Sequence, residues 1–271
     1  MDGNKIGAFI AQKRKLLGLT QQKLAERLHV SFQAVSKWEN GTAYPDIMLL
    51  PTLASILQTT VDALLGYTAQ TFSKYEIQYE QEGFYWGLNP NRLCYEIMKL
   101  RPPVRPYRIL DVGCGEGKDA VFFARNGYRV AAFDLAEAGI EKAKKLADHV
   151  GVNVQLFKAD MMDYEPEGEY DIIFSSSALE YLPTEMRSKV IDRLKAHTAS
   201  GGLNVVNVLV QKPFIERAKS KGGNLWRSGE LFMAYHDWLL HKCEENIFDC
   251  ASGGIPHRHC MDTVIAEKQT Q

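Results

Sequence analysis

Three glycines at alternate positions follow an apolar run near the middle of the chain, in Asp111-Val-Gly-Cys-Gly-Glu-Gly117. The apolar run predicts a strand, and the residues from Lys118 predict a helix. Glycines at such a junction allow the backbone to approach a nucleotide-like ligand closely and to turn tightly into the helix. The Gly-x-Gly-x-Gly spacing here differs from the Gly-x-Gly-x-x-Gly spacing of nicotinamide-binding loops. The segment therefore predicts a binding loop for another nucleotide-like ligand.

Polar residues follow the next apolar runs in the same way. Asp134 ends a run 17 residues after Gly117, Asp160 follows a third run, and Ser175 and Ser176 follow a fourth. The carboxyl ends of parallel strands meet at one edge of a sheet, so these side chains are expected to line one crevice.

The elements that must position these residues alternate between strand and helix from Tyr107 onward. Strand-like stretches near Asn246 and over residues 259–267 predict an antiparallel edge. We therefore expect an α/β, Rossmann-like domain with a mostly parallel seven-stranded sheet.

Together these features resemble the class I S-adenosylmethionine (SAM)-dependent methyltransferases, over about residues 84–267, and the resemblance implies SAM as the cofactor. Asp134 is then expected to accept hydrogen bonds from the ribose hydroxyls, and Asp160 from the adenine amino group. Asp111 would help to hold the methionine ammonium. Methyl transfer from a sulfonium depends mainly on alignment, so the sequence assigns no catalytic residue. The expected cofactor-binding residues are Asp111, Gly113, Cys114, Gly115, Gly117, Asp134, Leu135, Asp160, Met161, Ser175 and Ser176.

Residues 1–66 contain no strand pattern and predict five short helices, an all-α domain. Thr20 and Ser31 are the expected N-caps of the second and third helices, which would form a helix-turn-helix. The stretch from Thr20-Gln21 to Ser36-Lys-Trp-Glu-Asn-Gly41 resembles the phage-repressor (Xre) family, over about residues 5–66. His29 stands where that family usually has glycine at the turn, and histidine tolerates a left-handed backbone better than most residues.

This second resemblance implies binding to double-stranded DNA as a homodimer. On the third helix, Phe32, Gln33 and Lys37 are expected to face base edges in the major groove. The residues expected to contact phosphates are Gln21, Ser31 and Asn40. The alternative is that these side chains are only solvated, on a helical bundle that binds protein.

The second half also resembles the tellurite-resistance methyltransferases, in Asn126-Gly-Tyr-Arg-Val-Ala-Ala-Phe-Asp134, Arg193-Leu-Lys-Ala-His-Thr-Ala-Ser-Gly-Gly202 and Met261-Asp-Thr-Val-Ile-Ala-Glu-Lys268. The resemblance implies a small-molecule acceptor, such as a tellurium or selenium oxyanion. An anionic acceptor requires cations. The candidates are Lys212, His257, Arg258 and His259.

Three functions stay open on the sequence. The first is an active methyltransferase with a DNA-binding head, and the second is a transcription regulator whose second domain senses SAM or another small ligand without turnover. The third is a nucleic-acid methyltransferase, which is disfavoured because Ser175-Ser-Ser-Ala lacks the Asn/Asp-Pro-Pro-aromatic loop of enzymes that methylate base amino groups.

The length, composition and charge of the chain limit its class and its division into domains. The 271 residues are 45% hydrophobic and 24% charged, with a net charge of −1, and residues 1–66 carry seven Lys/Arg against five Asp/Glu. We expect a helix-turn-helix domain over residues 1–66, a linker over 67–83 and a methyltransferase domain over 84–271. Phe84, Tyr85 and Trp86 would either cover the acceptor or dock the linker onto the sheet.

Nothing in the sequence predicts a membrane or a metal partner. No apolar run approaches the ~18–20 residues of a membrane helix, and no signal peptide is recognisable. The five cysteines have no disulfide-scaffold spacing, which favours a reduced, cytoplasmic protein. The spacing of three cysteines and two histidines near the end of the sequence matches no zinc template, so no metal site is expected. These residues are Cys243, Cys250, His257, His259 and Cys260.

Overall fold

A computed structural model describes residues 3–57, 59–65, 73, 75–215, 224–250 and 256–270 of the chain. It divides into two compact units, Met1–Phe72 and Ser73–Gln271. Among the described residues, no helix combines the length and the apolar character needed to cross a membrane.

The described part of the first unit is helical. Its α-helices are α1 (Gly3–Leu16), α2 (Gln21–Leu28), α3 (Phe32–Glu39), α4 (Leu50–Ile56), which continues a 3₁₀ turn at Ile47–Leu49, and α5 (Val61–Leu64). Apolar residues at helical spacing, such as Ile6 and Ile10 on α1 or Val35 and Trp38 on α3, are buried in one core. The predicted all-α domain is confirmed.

The predicted caps and turn are present in the helix-turn-helix. The Thr20 hydroxyl accepts a hydrogen bond from the amide of Lys23 at 3.1 Å, and the Ser31 hydroxyl accepts one from Ala34 at 3.2 Å. His29 ends α2 with φ +55°, in the left-handed region, where a histidine is tolerated.

The second unit is a sheet with helices on both faces. Its strands are β1 (Arg108–Val112), β2 (Arg129–Asp134), β3 (Val154–Lys158), β4 (Tyr170–Ser176), β5 (Thr198–Gln211), β6 (Trp226–Arg227), β7 (Leu239–Cys250) and β8 (His257–Glu267). Its α-helices are α6 (Glu76–Glu80), α7 (Arg92–Leu100), α8 (Lys118–Arg125), α9 (Glu137–Val150), α10 (Arg187–Ala196) and α11 (Glu230–Ala234).

The strand order is β3-β2-β1-β4-β5-β8-β7, and β6 pairs with β5 beside that path. The first five strands are parallel, and β8 and β7 form the expected antiparallel edge. The path has the seven strands that the sequence predicts, and the two-residue β6 is an addition. The order reverses between β1 and β4, and a crevice is expected beyond the carboxyl ends of the strands at such a point.

Residues that precede β1 fold with the second unit. Helix α6 lies inside the segment predicted as a linker, and its Tyr79 is buried. Residues 67–72 and 74 of that segment lie outside the described residues.

Candidate cofactor site and nucleic-acid interface

The glycine loop turns at the end of β1 and fits only residues without a side chain. Gly113, Gly115 and Gly117 have φ of +75°, +55° and +80°. A Cβ on Gly113 would lie 2.3 Å from the Ala178 Cβ, and one on Gly117 would lie 2.4 Å from the Ala143 Cβ. The first glycine therefore permits close approach of the segment after β4, and the third permits close packing of α9.

Asp111 is the last acidic residue before the loop, and it is buried on β1. Its Oδ2 has no hydrogen-bond partner among the described residues. Burial, with the nearby charge of Asp119, raises the pKa of the Asp111 carboxyl well above its usual range. A cationic group in the crevice would stabilise this carboxylate.

Asp134 ends β2 and ties the loop to the next helix. Its Oδ2 accepts a hydrogen bond from the Gly115 amide at 2.9 Å, and its Oδ1 accepts one from the Ala136 amide at 2.8 Å. A carboxylate oxygen accepts more than one hydrogen bond, so these contacts leave capacity for two hydroxyls. Burial raises the Asp134 pKa despite these hydrogen bonds.

The residues predicted at the third strand end are next to the same edge. The Asp160 Oδ1 accepts a hydrogen bond from the Met162 amide at 2.9 Å, which fixes the carboxylate in a turn after β3. Met161 is half-buried against the core, and Leu135 is half-buried directly after β2. Their roles in cofactor binding stay predictions.

The prediction that Ser175 and Ser176 follow the fourth strand is wrong, because β4 extends through Ser176. Ser175 is fully buried, and its hydroxyl donates to the Val112 carbonyl at 3.0 Å. The Ser176 hydroxyl accepts from the Asn91 side-chain amide at 2.8 Å. The strand continues past the expected end because Ser175 and Ser176 pair with Val206 and Asn207 of β5.

Aromatic residues before the sheet pack over the glycine loop. A Cβ on Gly115 would lie 2.8 Å from the Tyr79 hydroxyl, which itself accepts a hydrogen bond from the Trp86 indole at 3.1 Å. Tyr75 stacks on Tyr79 with ring centroids 5.5 Å apart. We call residues 75–91 the N-terminal flank.

Charged contacts fasten this flank. The Lys142 ammonium pairs with Glu116 of the loop at 2.9 Å and donates to the carbonyls of Gln81 and Gly83, at 2.6 Å each. Trp86 donates to Tyr79 of the predicted linker and, through its backbone amide, to Glu116 of the glycine loop at 3.4 Å. These contacts favour the docking alternative, and the covering of an acceptor by Phe84, Tyr85 and Trp86 stays a prediction.

Glu180 is the carboxylate that follows β4, in the 3₁₀ turn Leu179–Tyr181. It is 3% exposed, and its Oε2 has no hydrogen-bond partner among the described residues. Burial raises the pKa of Glu180 to about 8. Burial raises the pKa of Tyr75 and of Tyr181, and the charge of Glu180 adds a smaller increase to each. The hydroxyl oxygens of the two tyrosines lie 2.7 Å apart.

In the first unit, the expected groove-reading residues share one surface of α3. Gln33 and Lys37 are exposed, and Phe32 is 44% exposed, unusual for a phenylalanine. The N-cap Ser31 and the exposed Asn40 lie at the two ends of the helix.

Gln21 is more constrained than the phosphate-contact prediction implies. Its amide donates to Glu39 at 2.7 Å, and Glu39 is held by the buried Arg14 at 2.6 and 2.8 Å. Arg14 also donates to the Leu19 carbonyl at 2.7 Å. This network links α1, α2 and α3, so it orients the helix-turn-helix.

Comparisons with known proteins match both units. A family described as a methyltransferase domain matches residues 109–202, and one described as helix-turn-helix matches residues 10–76. The chain therefore contains a segment that matches a helix-turn-helix and a segment that matches a methyltransferase domain. The first match covers the glycine loop, and the second covers α2 and α3.

Individual relatives resemble the methyltransferase domain. The probable SAM-dependent methyltransferase TehB of Haemophilus influenzae is 26% identical over 153 residues, 53% of each chain. The ubiquinone biosynthesis O-methyltransferase of Rickettsia felis is 28% identical over 130 residues, 47% of this chain and 52% of the relative. The chain spans about half the length of these curated relatives.

The crystal structure of Haemophilus influenzae TehB shows the same fold. It superposes with a TM-score of 0.60 at 21% identity, and the match covers 72% of this chain and 66% of that one.

SAM is the cofactor of such a methyltransferase domain, and the residues present fit it. The ammonium of its methionine part would stabilise the unpartnered Asp111 carboxylate, and Asp134 has acceptor capacity for ribose hydroxyls. Sequence reasoning missed Tyr79, Glu116 and Glu180 at this edge. Tyr79 and Glu116 give a weak signal because their contacts are with segments far away in sequence, and Glu180 gives one because its burial is visible only in the fold.

Three of the four cations expected for an anionic acceptor have polar contacts within the protein. Lys212 pairs with Glu245 at 2.6 Å and donates to the Ser228 hydroxyl at 2.8 Å. His257 and His259 share a face of β8, as strand alternation predicts, with their Nε2 atoms 2.8 Å apart.

Proposed function

We propose that the second unit transfers the methyl group of SAM to a small-molecule acceptor, and that the first unit binds double-stranded DNA. The observation that carries the methyltransferase proposal is the buried, unpartnered Asp111 carboxylate beside a loop that only glycine fits. A cation with a nucleoside attached satisfies both features, and SAM is such a ligand. The family match over residues 109–202 supports this assignment.

The chain's own residues would align the reactants. Asp111 and Asp134 would hold the two ends of SAM, and the N-terminal flank would exclude water from the sulfonium. When bound, SAM supplies an electrophilic methyl group. Glu180 has a pKa of about 8, so its ionised form is the minor one at neutral pH; that form is a candidate to accept a proton from an acceptor that must lose one, such as a hydroxyl or a thiol.

For the acceptor we propose a small molecule, and a tellurium or selenium oxyanion is the first class to test. This rests on the resemblance to the tellurite-resistance methyltransferases and on the match to TehB. The match to a ubiquinone biosynthesis O-methyltransferase makes hydroxyl acceptors the second class.

Titration calorimetry of the whole chain with SAM, and then with its demethylated product, tests the cofactor. Binding of both near micromolar Kd is expected, and acceptors then follow with methyl-labelled SAM, starting from selenite, tellurite, thiols and phenols. Failure of both ligands to bind would contradict the methyltransferase proposal.

For the first unit we propose sequence-specific binding as a homodimer, in the cytoplasm. The exposed Phe32, Gln33 and Lys37 on one face of α3 support DNA reading. Selection of bound sites from random DNA tests this, with a two-fold symmetric site as the expected product of a dimer. Binding that is equal for all sequences would contradict it.

A second function, sensing of SAM without turnover, has one observation in its favour. Tyr79 and Trp86 of the N-terminal flank lie against the glycine loop, and the flank follows the DNA-binding unit in sequence. If SAM binding rearranged the flank, it would shift the balance between conformations of the first unit that differ in affinity for DNA. Altered affinity for the selected DNA with SAM, and no methyl transfer to any acceptor, would favour the sensor.

A further inference from the structure

The hairpin of β7 and β8 brings together three side chains that ligate metals. Cys250 is paired with His257 across the two strands, and directly opposed residues share a face of the sheet. His259 lies two residues further along β8 and therefore on the same face. One ligand atom from each residue lies within 4.8 Å of the others.

We propose that Cys250, His257 and His259 bind a zinc ion. A thiolate and two imidazoles are a ligand set that zinc prefers, and three protein ligands leave one tetrahedral position for water or another ligand. Two imidazole nitrogens on one zinc ion lie about 3.3 Å apart, from bond lengths of ~2.0 Å and a tetrahedral angle. The 2.8 Å between the two Nε2 atoms requires only a small opening of the pair.

The surroundings hold the ligands in place while leaving them accessible. All three residues are half-buried, so an ion can enter and is partly shielded from water. The Phe248 ring packs against the His259 ring with centroids 5.6 Å apart, which restricts the rotation of that imidazole. The strands also fix the backbone, because the pairing continues from Cys250 opposite His257 to Leu239 opposite Glu267.

The strand pairing shows at which end of the sheet the three ligands lie. β8 pairs with β5 as far as Cys260 opposite Val210, near the carboxyl end of β5. The glycine loop lies at the carboxyl end of β1, which runs in the same direction in the sheet. The zinc ion would therefore lie at the sheet edge that carries the cofactor loop, although its binding does not depend on methyl transfer.

The test is zinc binding by the full chain, stripped with a chelator and kept reduced. Titration with zinc against a chromophoric chelator is expected to give one ion per chain. Cys250→Ser and His259→Ala are expected to lower the affinity on the order of 100-fold each. Matched controls are Cys243→Ser, an exposed cysteine on the same strand β7, and His236→Ala, an exposed histidine. Equal affinity in the ligand variants and the controls would overturn the proposal.

Cobalt provides a second readout on the unmutated chain, which does not depend on how a variant folds. Stoichiometric Co²⁺ is expected to give the charge-transfer absorption of a cobalt–thiolate bond and the intense visible bands of a tetrahedral site. A spectrum of six-coordinate cobalt without the thiolate band would overturn the proposal. Circular dichroism of each variant reports whether the fold is retained.

Discussion

The two units place their candidate functional side chains in different ways. In the first, Phe32, Gln33 and Lys37 lie on one helix of 8 residues, α3, and the Arg14–Glu39 pair orients that helix. In the second, the candidate site combines Tyr79 of the N-terminal flank, Asp111, Asp134 and the segment after β4. The exposed face of α3 depends on one helix and its caps. The candidate cofactor site depends on the packing of separate segments, several of which contain buried ionisable groups.

Glu180 gives the largest expected effect, because the second unit buries its carboxylate without a full set of partners. Its folded pKa of about 8 exceeds the ordinary 4.5, so the folded state retains a proton that the unfolded state releases. Stability attributable to this group is therefore retained at low pH and lost as the pH rises from about 4.5 to 8. Glu180→Gln removes that loss.

We expect the advantage of Glu180→Gln over the unmutated chain to grow by on the order of 4 kcal/mol between pH 5 and pH 8.5. The measurement is urea unfolding of the second unit at both pH values. Glu137→Gln, at an exposed position on α9, is the control and should show no such growth. A constant difference between Glu180→Gln and the unmutated chain would show that Glu180 is ionised in the folded protein.

Asp134→Ala is expected to weaken SAM binding by about 100-fold or more, or ~3 kcal/mol, from two lost hydrogen bonds to a charged acceptor. The Gly115 and Ala136 amides also lose their partner, so the loop is expected to loosen. Calorimetry measures the affinity, and thermal unfolding shows whether the fold persists. Unchanged affinity in a folded variant would exclude Asp134 from the ribose site.

Arg14→Met tests the first unit in the same way, through a buried ion pair. Arg14 and Glu39 are 10% and 6% exposed at their side chains, and among the described residues the variant leaves Gln21 as the only hydrogen-bond partner of the buried Glu39 side chain. We expect the first unit to lose about 2 kcal/mol of stability, from the hydrogen bonds that the Glu39 carboxylate loses. Calorimetric unfolding should show the loss in the transition of the first unit alone. An equal shift in both transitions would mean that the two units unfold together.

The extent to which the sequence predicts each site follows from this contrast. The caps Thr20 and Ser31, the turn at His29 and the exposed face of α3 are local properties, and their pattern is readable within a few residues. The glycine loop is local too, and its positive φ values agree with the prediction.

The features that the sequence does not predict are non-local. Tyr79 lies in a segment that reads as a polar linker, and only its contact with Gly115 shows that it belongs to the cofactor edge. Ser175 and Ser176 read as a strand end because serines are common in turns, but they pair with Val206 and Asn207 of β5, which is distant in sequence. Cys250 and His257 match no zinc spacing, and the hairpin register brings them together.

The smallest predicted effect tests whether the surface of α3 reads bases. Gln33 is exposed near the start of α3, where a bidentate contact to adenine is worth about 1–3 kcal/mol of discrimination. Gln33→Ala is therefore expected to weaken binding to a selected DNA site about tenfold and to relax the preference at one base pair. Binding to unrelated DNA should not change, because affinity for unrelated DNA comes from phosphate contacts.

Gln22→Ala, at an exposed glutamine on α2, is the matched control. Fluorescence anisotropy at fixed salt measures both. An equal loss of affinity for selected and unrelated DNA would make Gln33 a phosphate contact. No loss of affinity would favour a bundle that binds protein, because a groove-reading helix cannot lose its adenine contact without losing discrimination between sequences.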